Sequence, residues 1–176
     1  MSEFRLEVRR VETLDERELN QMAALRATID FGLPPTTWLP TATTPWRILT
    51  WDGERLVNHL AIMGRTIAVG DADVHVAGIR SVMTLPEMRG RGVASAAMRR
   101  AAEHIEREML DARFGVLFCL DIRVPLYRGV GWEVVDVPTF MDQPEGRTRS
   151  TINTMVKSFR GEPWPPGEID IRGLPW

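Results

Sequence analysis

Val93, Ala97, Ala101, Ile105 and Met109 recur four residues apart, and the apolar run GVLFCL (Gly115–Leu120) follows almost at once. Ala94, Met98 and Ala102 widen the first stripe, while Arg99, Arg100, Glu103, Glu106, Arg107 and Glu108 fill the opposite side. Such a segment is an amphipathic helix that buries one face. GVLFCLD has no polar face, so as a strand it needs cover on both sides. A helix that must lie on a sheet, beside a strand that must be covered twice, predicts an α/β protein.

The residues before that helix set the rest of the sheet. FRLEVRRV (Phe4–Val11) alternates as an edge strand does, and Leu14–Ile29 carries Leu19, Met22, Ala23 and Leu25 at helical spacing. FGLPPTTWLPTATTPW (Phe31–Trp46) is rich in Pro and Thr and is expected to be a long loop. From Trp46 to Leu85, turn signals at Asp52-Gly53 and Val69-Gly70-Asp71 divide the chain into three strands of an antiparallel meander. In the third of them, Ile79 falls out of phase with Val74 and Val76 after Gly78, which predicts a β-bulge there. IRVPLYRGVGW reads as a short helical turn and TINTMVKSF (Thr151–Phe159) as a late strand. The expectation is a mixed, mainly antiparallel central sheet flanked by helices, in one domain spanning residues 1–176.

Composition excludes several function classes. Basic and acidic residues number 22 and 24, a net charge of −2, without the basic surplus of a phosphate-backbone binder. No apolar run approaches the ~20 residues of a membrane span, and MSEFRLEVRR lacks the apolar core of a secretory signal, so a cytoplasmic location is expected. The lone Cys119 excludes an internal disulfide and a cysteine zinc site. It sits mid-strand as a small buried hydrophobe rather than a covalent acetyl carrier. His59, His75 and His104 lack metal-ligand spacing, and no metal is expected.

The start of the central helix, RGRGVASAAMRR (Arg89–Arg100), places two glycines where an alanine-rich helix begins. Each costs roughly 0.5–1 kcal/mol against alanine in a helix. Helix N-termini expose unpaired amides and partial positive charge. Glycines there clear the way to the amides, which makes an anion cradle suited to pyrophosphate, and Arg89 and Arg91 add charge at its rim. The alternative is a sharp turn that binds nothing. A P-loop would need GxxxxGK[ST], which is absent. A dinucleotide fingerprint would need a third glycine where Ser95 stands, and Asp121 lies farther along than that fold places its acidic residue.

Arg89-Gly90-Arg91-Gly92-Val93-Ala94 matches R-x-x-G-x-[GA] and resembles the pyrophosphate loop of the GNAT superfamily of acyl-CoA-dependent N-acyltransferases. PLYRGVGW (Pro125–Trp132) resembles the Tyr-x-x-x-Gly-aromatic segment of the same superfamily. The resemblance covers roughly residues 52–132. It implies the GNAT fold and acetyl-CoA as co-substrate, with Arg89, Gly90, Arg91, Gly92, Val93 and Ala94 on the pyrophosphate. It also implies the backbone of Val82, Met83 and Thr84 along the pantetheine, and Tyr127 as the acid that protonates the leaving thiolate.

VNHLAIMGR (Val57–Arg65) and the tail WPPGEIDIRGLPW resemble the aminoglycoside 2′-N-acetyltransferases and the nodulation acyltransferases. That likeness implies an amino-sugar acceptor bound by Asp170 and the Trp176 carboxylate. Trp38 is expected to wall the same pocket. Where the aminoglycoside enzymes place a glutamate this strand has Arg80, so the base stays open among Asp121, Asp73 and the C-terminal carboxylate. The expected activity is N-acetylation of a small-molecule primary amine, by a monomer or a homodimer, with no nucleic acid or membrane partner. The alternatives are a non-catalytic acyl-CoA-binding domain and a nodulation-type long-chain acyltransferase.

Overall fold

Glycine at positive φ makes both turns of the meander: Gly53 at +56° and Gly70 at +55°. In the computed structural model, which describes residues 4–29 and 41–176, these turns join β2 (Trp46–Asp52), β3 (Arg55–Val69) and β4 (Ala72–Thr84). β1 (Arg5–Arg10) pairs only with β2, antiparallel, and forms the expected edge. Between them runs α1 (Glu16–Ala27), opened by a capping box in which Asp15 accepts from the Glu18 amide and Glu18 from the Asp15 amide.

α2 (Val93–Glu108) crosses from β4 to β5 (Phe114–Cys119), which lies parallel to β4. α3 (Val124–Arg128) follows. The chain then adds β6 (Glu133–Val135), the hairpin β7 (Thr139–Gln143) and β8 (Gly146–Arg149), β9 (Asn153–Ser158) and β10 (Ile169–Asp170). β9 lies antiparallel to β5 and carries β6 on its other edge, while β10 joins the far end of β3 and brings β7 and β8 with it. The sheet is mixed and mainly antiparallel, as the sequence predicts. Among the described residues no helix is long and apolar enough to cross a membrane.

Both faces are covered. Ala97, Met98, Ala101 and Ile105 of α2 pack on Ile48, Leu60, Ile62, Ile79 and Leu117. The opposite face carries two separate clusters. Leu25 of α1 lies over Leu49, Val57 and Met83, while Trp176 and Ile171 of the tail lie over Met63, Val76 and Val116.

The bulge is not where the phase slip puts it. Register runs unbroken through Met63↔Gly78 and Ile62↔Ile79, and Leu60 instead faces two residues, Ser81 and Val82. Ser81 takes a left-handed φ of 53°. Gly78 has another purpose: a Cβ there would lie 2.4 Å from Cε2 of Trp176. The alternation fails near Gly78 because both faces of β4 are buried. In α1, Leu19 is exposed rather than part of the core, and the helix turns Leu25 and the Arg9-paired Glu18 inward.

Candidate active site

Strands β4 and β5 pair from Val76↔Phe114 to Ile79↔Leu117 and then part. The bulge at Ser81–Val82 begins at that point, so Val82, Met83 and Thr84 face β5 without pairing to it. On their other side Met83 and Thr84 stay in register with His59 and Asn58 of β3. Asn58, fully buried, donates its amide to the Met83 carbonyl (2.7 Å) and to Thr84 Oγ1 (2.9 Å). That amide fixes the open strand, and sequence reasoning did not single it out. A polar residue inside the apolar run of β3 was the available signal.

Beyond Thr84 a 3-10 turn at Pro86–Met88 leads into Arg89 and the glycines. Gly90 has φ +73° and Gly92, the N-cap of α2, φ +78°. A left-handed backbone costs a non-glycine residue roughly 1–2 kcal/mol, which accounts for glycine at both sites. A Cβ at either would meet nothing within 4 Å. No side chain caps α2, so its first-turn amides are left for solvent or a ligand. The glycines are needed for backbone conformation, and the space above them is open.

The parted strands and the helix start enclose one cavity of about 770 Å³. Val82, Met83, Thr84, Arg89, Gly90, Gly92, Val93, Ala94 and Tyr127 all line it. Arg91 does not; its guanidinium lies 3.8 Å from the Met88 sulfur. Phe118, Leu120, Leu126, Ile122 and Ile152 also line it. The last two are 77% and 37% exposed, an apolar rim that only the structure reveals.

Tyr127 sits in α3, buried, with its carbonyl accepting from the Trp132 amide (3.1 Å). Burial, reinforced by the Cys119 thiol, pushes its hydroxyl pKa well above the ordinary tyrosine value, so the phenol is a neutral O–H at neutral pH. Burial also raises Cys119 to about 11. Its thiol stays protonated and donates to the Met155 sulfur at 3.5 Å, which suits a core residue and not a nucleophile.

Asp170 and Trp176, expected at the acceptor, are not among the residues that line this cavity. Trp38 is outside the described residues. Asp170, on β10, accepts from Arg147 Nε (2.7 Å) and the Arg172 amide (2.9 Å) and does not line the cavity. The Trp176 ring is buried in the core, its Nε1 donating to the Val116 carbonyl at 3.2 Å. Asp73 pairs with Arg172 near the start of β4, and Asp121 accepts from Asn153. Among the described residues no group of three or more His, Cys, Asp and Glu could hold a metal ion.

Residues 10–135 match the acetyltransferase (GNAT) domain family. No curated protein matches the chain. Among solved structures the fold is similar to ElaA of Escherichia coli, at 17% identity and TM-score 0.66 over 89% of this chain and 100% of that one. It is also similar to an acyl-CoA N-acyltransferase of Pseudomonas aeruginosa, at 17% identity and TM-score 0.61 over the same shares. A GCN5-related N-acetyltransferase of Kribbella flavida aligns at 23% identity and TM-score 0.55, over 74% of this chain and 33% of that one.

Proposed function

Since the chain belongs to the GNAT acetyltransferase domain family, we propose that it transfers an acetyl group from acetyl-CoA to a primary amine of a small molecule. One observation carries this reading. A single cavity runs from an unpaired strand edge to a glycine-opened helix start, with a neutral tyrosine in its wall. A linear molecule with a peptide-like arm and a pyrophosphate fits those two ends.

The amides from Gly90 to Ala94 take the pyrophosphate, where the helix dipole favours an anion. The backbone of Val82, Met83 and Thr84 aligns the pantetheine arm along β4. Bound acetyl-CoA supplies a thioester, in which the acyl carbon is open to an amine and the sulfur leaves. As the new C–N bond forms and the C–S bond breaks, the Tyr127 hydroxyl gives its proton to the departing sulfur. The amine loses its own proton to water, and water returns a proton to the Tyr127 oxygen. Oriented amides and a positioned phenol exceed what a purely binding domain needs, which favours the enzyme over a non-catalytic binder. Asp170, one of the two groups expected to hold an amino sugar, is engaged with Arg147.

Titration calorimetry tests the cradle. Wild-type protein is expected to bind acetyl-CoA, and Gly92→Val to bind it at least about tenfold more weakly, a loss of about 1.4 kcal/mol. The valine fills open space but forces φ +78° on a β-branched residue. A modest fall in Tm is therefore expected, with a folded spectrum. Equal affinity in the folded variant would mean that the glycines serve only the turn.

A further inference from the structure

The chemistry above makes no use of three side chains on the face of the sheet away from α2. Arg80 on β4, Ala61 on β3 and Arg47 on β2 are in register, so the two arginines leave the same face. His59, two residues from Ala61 along β3, leaves it too. Their surroundings are apolar, with Leu49 and Met83 toward α1 and Met63 and Trp176 toward the tail. His59 is 5% exposed, and among the described residues neither its Nδ1 nor the buried Nε of Arg47 has a hydrogen-bond partner.

The partners the arginines do have are neutral. Arg47 donates Nη1 to the Thr44 carbonyl (3.0 Å), Thr44 Oγ1 (2.5 Å) and the Trp46 carbonyl (3.1 Å). Arg80 donates Nε to Ser81 Oγ (3.1 Å), and Nη1 to Thr41 Oγ1 (2.5 Å) and the Ala42 carbonyl (3.4 Å). Among the described residues neither forms an ion pair with a carboxylate. Burial, and then the neighbouring Arg80, lowers Arg47 to about 10; burial and the surrounding arginines hold His59 at about 4, so it is neutral.

Arg26 of α1 also acts on Arg80 and His59, and cations gathered on a half-buried face are costly unless an anion joins them. Guanidinium forks match a carboxylate in geometry as well as charge. Position adds the functional link. Arg80 is bonded to Ser81, which is the bulge residue and also lines the cavity. A molecule anchored at Arg80 therefore lies against the strand segment along which the pantetheine arm is placed above.

We propose that the acceptor is an amine that carries its own carboxylate, and that Arg80 and Arg47 bind this carboxylate beside the bulge, next to the unpartnered His59 nitrogen. The proposal rests on the acyl-transfer reading and narrows its substrate class. Its amine then projects toward the parted strands while the carboxylate stays on the arginine face. A cationic amino sugar would be repelled by the same pair.

The test compares matched acceptors in a CoA-release assay: amino acids and other amino carboxylates, each beside its carboxamide, together with amines lacking any carboxylate. Wild-type enzyme is expected to favour the carboxylate member of at least one pair by about tenfold or more in kcat/KM. Arg80→Gln should erase that preference, bringing kcat/KM for the carboxylate member down to that of its carboxamide. Acetyl-CoA affinity, measured by calorimetry on both proteins, should be equal and reports the cofactor reading separately. If Arg80 only clamps residues 41–46, Arg80→Gln will lower the Tm as clearly as the rate. On the proposal its Tm stays near wild type, because a buried like-charge contact is relieved. Asp30, the one acidic residue among residues 30–40, serves as control, since an internal ion pair would make Asp30→Asn and Arg80→Gln lower the Tm alike. Failure of every carboxylate-bearing acceptor, a preference that survives Arg80→Gln, or either of those Tm patterns overturns the proposal.

Discussion

Tyr127→Phe is expected to lower kcat by about 10²–10⁴-fold, the usual worth of a positioned general acid. The ring is buried against the core and its carbonyl holds the Trp132 amide, and phenylalanine keeps both features. Folding should hardly change. Acetyl-CoA affinity should stay within a few-fold, because the strand edge and the glycine turn are untouched. Burial holds the hydroxyl protonated far above neutral pH, so no acid-form limb from Tyr127 should cut the rate between pH 7 and 9. The deficit should shrink with an acyl donor whose thiol is more acidic, since that sulfur needs less help to leave. Wild-type turnover by Tyr127→Phe, under conditions where chemistry limits the rate, would make the residue a packing group.

Trp176→Ala is expected to cost about 3–5 kcal/mol of stability, in the range for emptying a large buried aromatic site. The indole lies so close to Gly78 that a Cβ there would sit 2.4 Å from the ring. It donates to the Val116 carbonyl, and its ring lies 5.5 Å from that of Phe118. Truncation opens a cavity over the centre of β4 and leaves a buried carbonyl without its donor. For a chain of this size the Tm should fall by roughly 6–20 °C. Deleting residues 169–176 also removes the buried Ile169 and Ile171 and should abolish soluble expression. A Tm within about 2 °C of wild type in Trp176→Ala would place the ring outside the core.

Much of the architecture was legible because its signals are local. Gly53 and Gly70 mark their turns, four-residue spacing marks α2, and GVLFCL marks the doubly covered β5. β6, β7, β8 and β10 were missed; β6 and β10 have three and two residues and every residue of β8 is exposed, so these three carry no hydrophobic pattern. At the site, the stretch from Arg89 to Ala94 announces itself by two glycines that a helix would otherwise avoid. The parting of β4 from β5, the Asn58 clasp and the pairing of Arg47 with Arg80 across Ala61 depend on register between distant segments. No window of sequence contains them. Trp176 was expected at the acceptor through its carboxylate, and nothing in the tail's own sequence points to Gly78, over which its ring packs.

Hydrogen–deuterium exchange of the wild-type protein, with and without saturating acetyl-CoA, tests the assignment of the cavity most directly. Protection is expected in two stretches, Val82 to Thr84 on the open edge of β4 and Gly90 to Ser95 at the start of α2, with β7 and β8 unchanged. Binding that protects other segments and leaves both stretches exchanging freely would contradict it.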